Sequence, residues 1–144
     1  MILNRQRKVR VAVRTLDKFL ARACKELRVS HDVLTVCLVT NNEIKKWNGA
    51  YRHKNKPTDV LSFPATASKN GRIARQFTRK YLGDVAIAPE VARANAKEFG
   101  RTFEQEMQIL IVHGILHLMG YDHEADDGRM MRREMRVRRK LGIE

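Results

Sequence analysis

At residues 102–120 the chain reads TFEQEMQILIVHGILHLMG, a segment whose composition predicts a strongly apolar helix. Thr102 and Gln105 have the three-residue spacing of a capping box, which predicts that the helix begins here. Gly120 is the residue type that most often follows the end of a helix. The segment therefore predicts a helix with a defined start and a defined end.

The segments on either side of this helix predict further helices and short strands. Extended segments are predicted at residues 33–39, 60–63 and 82–88, the second of them as an edge strand closed by Pro64. Helices are predicted at 8–28, from a Thr40 cap onward, at Pro89–Phe99 and at 127–141. Strands mixed with helices between and after them predict an α+β domain in which a small sheet packs with about five helices.

Length and composition restrict the class of protein. A chain of 144 residues, 43% of them hydrophobic, has the size and composition of one ordinary globular domain, so we treat residues 1–144 as a single domain. No apolar run approaches the ~20 residues of a membrane span, and the charged start MILNRQRKVR is untypical of a signal peptide. Cys24 and Cys37 lie among apolar neighbours and are predicted to be buried. These features predict a cytoplasmic protein with no membrane partner.

The charge balance predicts a polyanionic partner. Lys and Arg number 29 against 16 Asp and Glu, which gives a net charge of +13. Such an excess attracts polyanions, of which nucleic acid is the commonest in a cytoplasm. Basic residues concentrate in the first helix, in the acid-free loop 65–80 and in the last helix. They could simply form solvated faces, but three separate basic segments favour a surface that follows phosphates. The residues predicted to contact RNA are Lys54, Lys56, Arg75, Arg79, Lys80, Arg132 and Arg136.

Three of the five histidines fall within eleven residues, at 113, 117 and 123. His113 and His117 are four residues apart on the predicted helix, so their side chains leave one face about 6 Å apart along the axis. His123 could join them only if the chain turns back, and Gly120 can supply that turn. Three imidazoles with an open fourth position are typical of a catalytic zinc site. The histidines therefore predict one Zn²⁺ per chain.

The helix lacks the general-base glutamate of the His-Glu-x-x-His metalloproteases, because Gly114 follows the first histidine. A carboxylate could instead come from Asp122, Glu124, Asp59 or Asp84. For Asp122 we favour a supporting role, in which it orients an imidazole by accepting its second N–H. The sequence alone does not identify a general base.

A second motif occupies residues 48–64, which read NGAYRHKNKPTDVLSFP. It predicts a helix end, a basic turn and an edge strand. Arg52 offers a planar fork suited to a phosphate, and if it faced the metal the two would hold a phosphodiester between them. It could equally be a solvated turn residue, and spacing alone does not separate these two interpretations.

Together with LGDVAI at 82–87 and HGILHLMGYDH at 113–123, this motif resembles the YbeY family of rRNA maturation factors. The resemblance covers roughly residues 36–124. It implies an α+β fold with a small mixed sheet and a zinc ion held by His113, His117 and His123. It also implies single-strand-specific RNA cleavage, 16S rRNA maturation, and a part in ribosome quality control at the small subunit. Arg52 falls on the arginine that the family uses for activity, and Asp59 falls in its Thr-Asp-Val-Leu-Ser-Phe-Pro run.

Several alternatives stay open at this point. The attacking group could be a zinc-activated water, or the 2′-OH of the RNA itself with zinc stabilising the oxyanion. A metal-dependent peptidase or amidase would share the histidine helix, although Gly114 counts against it. A non-catalytic ribosome assembly factor would need only the basic surface. The last helix is unusually basic for the family, and the chain before residue 33 matches it only by pattern.

Overall fold

The computed structural model describes residues 1–65, 81–122 and 127–143. The strands are β1 (Ile2–Asn4), β2 (Leu34–Leu38), β3 (Val60–Pro64) and β4 (Gly83–Ile87). The α-helices of the described ranges are α1 (Val13–Leu27), α2 (Asn41–Arg52), α3 (Pro89–Phe99), α4 (Phe103–Leu118) and α5 (Arg129–Leu141).

The strands form one mixed sheet in the order β1–β2–β4–β3. β1 and β4 both run parallel to β2, whereas β3 is antiparallel to β4. β3 lies at the sheet edge, as the sequence predicts. The α+β fold class, with a small mixed sheet and five helices, is therefore confirmed for the described part of the chain.

The sheet separates two apolar clusters. Val36 and Val85 face α1 and α4, and this side contains the larger cluster, which α5 extends. Leu61 and Ala86 face the opposite side, where Ile44 of α2 packs on them. Helix α4 lies on the larger cluster with Ile111 and most of its neighbours fully buried, so its last turn is held firmly against the sheet.

The helix caps agree with the sequence. The Thr102 hydroxyl accepts from Gln105 N–H while the Gln105 side chain accepts from Thr102 N–H, which completes the capping box of α4. Thr40 caps α2 by accepting from Glu43 N–H. Gly100 ends α3 in the left-handed conformation. These local signals place the helix ends correctly.

The N-terminal prediction is wrong in two respects. The helix predicted from residue 8 begins at Val13, because the Gln6 side chain bonds both the N–H and the carbonyl of Val9 and holds that stretch in a turn. β1 is not predicted at all, since three residues carry too short a pattern. No helix in the described ranges has the length and apolar character needed to cross a bilayer.

The two cysteines differ in environment. Cys24 is buried as predicted, and burial raises the pKa of its thiol to about 11. Cys37 is only half-buried, because it lies on the sheet face that α2 covers incompletely. Burial still raises the pKa of the Cys37 thiol, so both thiols are held in the protonated form at neutral pH.

Candidate active site

His113 and His117 leave the last turns of α4 side by side. Their Nε2 atoms are 3.1 Å apart, and the ring centroids are 4.7 Å apart. Both side chains are partly exposed, although the helix around them is buried. The predicted spacing thus brings the two imidazoles to one point on the surface.

Each ring is oriented by a different acceptor at Nδ1. The Glu134 carboxylate lies 2.7 Å from Nδ1 of His113, and the main-chain carbonyl of Tyr121 lies 3.0 Å from Nδ1 of His117. A carbonyl and an ionised carboxylate can only accept, so both Nδ1 atoms donate. In the neutral rings the Nε2 atoms therefore carry lone pairs.

The Glu134 carboxylate is ionised despite its burial. Burial raises the pKa of the Glu134 carboxyl group. The hydrogen bond from His113, the charge that His113 carries when its ring is protonated, and Arg138 together lower this pKa by more, so the net pKa lies below its usual range. Arg138 reaches the second oxygen of Glu134 at 3.3 Å. The carboxylate is therefore an acceptor at neutral pH.

With both Nδ1 atoms donating, the two Nε2 atoms, 3.1 Å apart, can share one cation. Ligand nitrogens at about 2.0–2.1 Å from a tetrahedral zinc ion would lie about 3.3 Å apart, close to the observed separation. The donor set therefore fits a zinc ion. Within the described ranges the histidines form a pair and no group of three or more metal-ligating side chains occurs. His123, the third predicted ligand, lies outside these residues.

The turn after α4 is built on Gly120. This glycine has φ +100°, a backbone conformation that other residues rarely adopt. The conformation agrees with the prediction that Gly120 turns the chain. Tyr121 N–H then bonds the Leu116 carbonyl at 3.1 Å. The reversal carries the Tyr121 carbonyl back to His117, so the main chain itself orients that ring.

Arg52 and the histidines line the same cavity, which has a volume of about 480 Å³. Arg52 is exposed at the end of α2. The chain reverses directly afterwards, because His53 adopts φ +56° and Asn48, which is buried, donates to the Lys56 carbonyl at 2.9 Å. The cavity therefore has imidazoles and a guanidinium on its walls, a combination suited to a phosphodiester.

The predicted acidic residues occupy different positions around this cavity. Asp59 lines it, but one carboxylate oxygen accepts from Asn95 at 3.1 Å, which ties the start of β3 to α3. Asp122 also lines it and is exposed. The role predicted for Asp122, in which it orients an imidazole, stays a prediction.

The basic residues predicted to contact RNA are divided between several places. Lys54 lines the cavity, and Lys56 is exposed in the turn beside it. Arg132 and Arg136 are exposed on α5. The predictions for Arg75, Arg79 and Lys80 lie outside the described residues.

Close packing against the sheet explains why position 114 is glycine, where metalloproteases have a glutamate. A Cβ atom there would lie 2.5 Å from Cγ1 of Val85, and Ser62 of β3 donates to the Gly114 carbonyl at 2.9 Å. Helix α4 thus approaches the sheet so closely that position 114 has no room for a side chain. The departure from the metalloprotease pattern follows from helix–sheet packing.

Gly114→Ala and Gly49→Ala should change stability in opposite directions. Alanine gains about 1 kcal/mol over glycine within a helix. At Gly49 a Cβ atom would meet no other group within 4 Å, so we expect this gain. At Gly114 the clash with fully buried Val85 costs about 1–3 kcal/mol and should outweigh it. Urea denaturation of both variants checks the signs, and a stabilised Gly114→Ala protein would contradict this packing.

A sequence model of the family described as Endoribonuclease YbeY matches residues 1–142. The chain belongs to this family. It is similar to proteins named Endoribonuclease YbeY from Solibacter usitatus, with 43% identity over 89% of this chain and 78% of the relative, and from Koribacter versatilis, with 38% identity over 99% and 86%. A relative of the same name from Aquifex aeolicus is 40% identical over 85% of this chain and 77% of its own length.

A solved structure has a similar fold over nearly the whole chain. The solution structure of a Thermotoga maritima protein superposes with a TM-score of 0.60 at 31% identity, covering 98% of this chain and 89% of that one. Because the match spans nearly the whole chain, it includes the N-terminal region that the sequence motifs leave uncertain.

Three contacts of the site are not predicted by the sequence. These are the Glu134 carboxylate at His113, the Tyr121 carbonyl at His117 and the Asn48 amide beneath the basic turn. The sequence contains one indication of the Glu134 contact, because Glu134 is the only acidic residue in the basic helix α5. A main-chain carbonyl leaves no signal in side-chain chemistry.

Proposed function

We propose that this YbeY-family protein is a zinc-dependent endoribonuclease that cleaves single-stranded RNA in the cytoplasm. Its substrate is precursor 16S rRNA on the small ribosomal subunit, and it acts in rRNA maturation and ribosome quality control. The family description and the names of the curated relatives support endoribonuclease activity. The metal and the ribosomal substrate are proposals from the site chemistry and the sequence resemblance.

One observation carries the proposal: His113, His117 and Arg52 line one cavity, with the two Nε2 lone pairs directed at each other. His113, His117 and the predicted ligand His123 would hold the zinc ion. When bound, zinc supplies Lewis acidity and activates water. Arg52 binds the phosphate and neutralises charge that develops on its nonbridging oxygens.

A basic surface supports RNA as the substrate. Helices α1 and α5 pack side by side, joined by a hydrogen bond from Arg22 to the Leu141 carbonyl at 3.3 Å and an ion pair between Lys140 and Glu26 at 3.2 Å. Their contact combines two predicted basic segments into one surface. Its exposed cations include Arg14, Lys18, Arg22, Lys25, Arg129, Arg132, Arg136, Arg139 and Lys140.

Removing two arginines from this surface should weaken the salt dependence of RNA binding. Each phosphate contact to a single strand contributes about 0.7 to the magnitude of the slope of log K against log salt concentration. In the Arg132→Ala, Arg136→Ala double variant, the magnitude of this slope should therefore decrease by about 1.4. Fluorescence anisotropy with single-stranded RNA at several salt concentrations measures it.

The matched control is Arg93→Ala with Lys97→Ala. These exposed cations on α3 have the same four-residue spacing, and their loss removes the same charge. We expect the slope of the control to stay near the wild-type value. Equal losses in both double variants would show a general charge effect and contradict a defined α5 contact.

The proposed function is tested with end-labelled single-stranded precursor rRNA. Cleavage should occur with zinc, stop after chelation and return when zinc is restored, while duplex RNA of the same sequence stays intact. A 2′,3′-cyclic phosphate among the products would assign the attack to the RNA 2′-OH, and its absence throughout the time course would favour water.

The same assay separates the alternative functions. RNA binding without cleavage, both on naked RNA and on small ribosomal subunits, would favour a non-catalytic assembly factor, for which the α1–α5 surface suffices. Peptide or amide hydrolysis would favour a peptidase or amidase. Position 114 is closed to the glutamate that such a helix uses, so the geometry favours the nuclease.

A further inference from the structure

We propose that Glu134 is a positioning residue of the metal centre: held by Arg138, its carboxylate fixes the His113 ring with Nε2 directed toward the ligand position. This inference rests on the proposed zinc site and adds a residue from α5 to a site otherwise built on α2, β3 and α4.

The contacts place Glu134 directly behind His113. Oε1 lies 2.7 Å from Nδ1 of His113, on the side of the ring opposite the atom that faces His117. Oε2 accepts from Nη1 of Arg138 at 3.3 Å. The carboxylate therefore divides its two oxygens between the imidazole and a guanidinium one helical turn away.

Glu134 is a single acidic residue in a basic helix, and its side chain is mostly buried. It is the only acidic residue of the helix, and exposed cations are available to it at several neighbouring positions. Its side chain is nevertheless only 15% exposed and points to α4. An acid that served only to reduce helix charge could remain at the surface, so the buried contact favours a role at His113.

Arg138 makes this burial tolerable. The arginine is itself buried, at 9% exposure, which is costly for a guanidinium without a carboxylate partner. Because each charge compensates the other, the pair can remain in a region of low exposure. Arg138 thus restricts Glu134 to one position, and Glu134 restricts the ring.

A carboxylate that accepts from the second nitrogen of a metal-binding histidine fixes the tautomer and increases the basicity of the ligand. Loss of such a partner typically weakens metal binding by about 10–100-fold. His117 is supported differently, by the Tyr121 carbonyl, which substitution of a side chain does not remove. Of these two Nδ1 contacts, the one made by Glu134 is therefore the one that a single side-chain replacement removes.

The test is Glu134→Leu, which has a similar size but no hydrogen-bond acceptor, compared by zinc affinity and by the His113 tautomer. Competition with a chromophoric chelator should show about 10–100-fold weaker zinc binding than wild type. In the metal-free proteins, long-range ¹H–¹⁵N NMR should find the His113 proton on Nδ1 in wild type and redistributed in the variant. Neither readout depends on RNA cleavage.

Glu106→Leu is the matched control. Glu106 is a buried carboxylate on α4, paired with Arg101 at 2.8 Å and two turns from His113. Its replacement breaks a comparable ion pair without touching an imidazole, so zinc affinity should stay within about 3-fold of wild type. An equal loss in both variants would reduce Glu134 to a structural residue and overturn the inference.

Two further outcomes decide against it. Wild-type affinity in a folded Glu134→Leu protein would overturn it, as would a wild-type His113 carrying its proton on Nε2. If Glu134→Leu does not fold, Glu134→Asp keeps the charge but withdraws it by one methylene, and unchanged affinity there would count equally against the inference. Failure of the proposed function looks different: wild type then binds no zinc, while the tautomer still decides whether Glu134 orients the ring.

Discussion

Replacing His117 with alanine should abolish zinc binding and RNA cleavage in a protein that remains folded. The imidazole is partly exposed, alanine is favourable in a helix, and the hydrogen bond lost to the Tyr121 carbonyl is worth only about 1 kcal/mol. A Lewis acid at the phosphate is worth several kcal/mol, so cleavage should fall on the order of 10³-fold or more. Zinc content, thermal unfolding and the rate of RNA cleavage measure the expected effects on metal binding, folding and activity.

The control for this variant is His31→Ala, which removes an exposed histidine from the short turn before β2. It should bind zinc and cleave as wild type does. An unfolded His117→Ala protein would indicate a structural zinc and favour the assembly factor. Equal cleavage by His117→Ala and wild type would indicate a contaminating nuclease.

Arg52→Ala should slow cleavage by about 10²–10³-fold without changing zinc affinity. This is the usual loss when one donor to a developing oxyanion is removed. Arg52 is exposed at the end of α2, so the fold should tolerate the replacement, and it shares the cavity with the histidines. Arg52→Lys should recover only part of the rate, because lysine retains the charge but not the planar fork. Single-turnover cleavage and zinc titration measure the two effects.

Lys54→Ala is the matched control for Arg52. Lys54 lies two residues further along the same turn, is exposed and lines the same cavity. Its loss should weaken RNA binding while leaving the rate of the bound complex nearly unchanged. If Arg52→Ala cleaved at the wild-type rate, or if both variants lost rate equally, Arg52 would have no specific place in the reaction.

Local sequence signals predict most of the helices and the core of the site. The capping pair Thr102 and Gln105 fixes the start of α4, and the four-residue spacing of His113 and His117 fixes their common direction. Both signals depend on residues within one or two helical turns, where geometry follows from the helix itself. For this reason the amino-acid sequence is sufficient to locate the histidine pair.

The remaining features depend on contacts between distant parts of the chain. β1 becomes a strand because residues 2–4 pair with residues 36–38, and the segment carries no periodic pattern of its own. Glu134 reaches His113 across 21 positions. The early start predicted for α1 fails because a Gln6 side chain competes for the backbone of Val9. Apolar periodicity contains no information on any of these contacts.

The close contact between Gly114 and Val85 also limits which substitutions this chain can accept. A single substitution, Gly114→Glu, would turn His-Gly-Ile-Leu-His into the His-Glu-x-x-His pattern of zinc peptidases. Since a side chain at 114 collides with a rigid, fully buried valine, that step would damage the fold before any new chemistry could be selected. A smaller residue would first have to replace Val85. Packing beneath the histidines thus keeps this helix from acquiring the peptidase motif, although the two motifs differ at one residue.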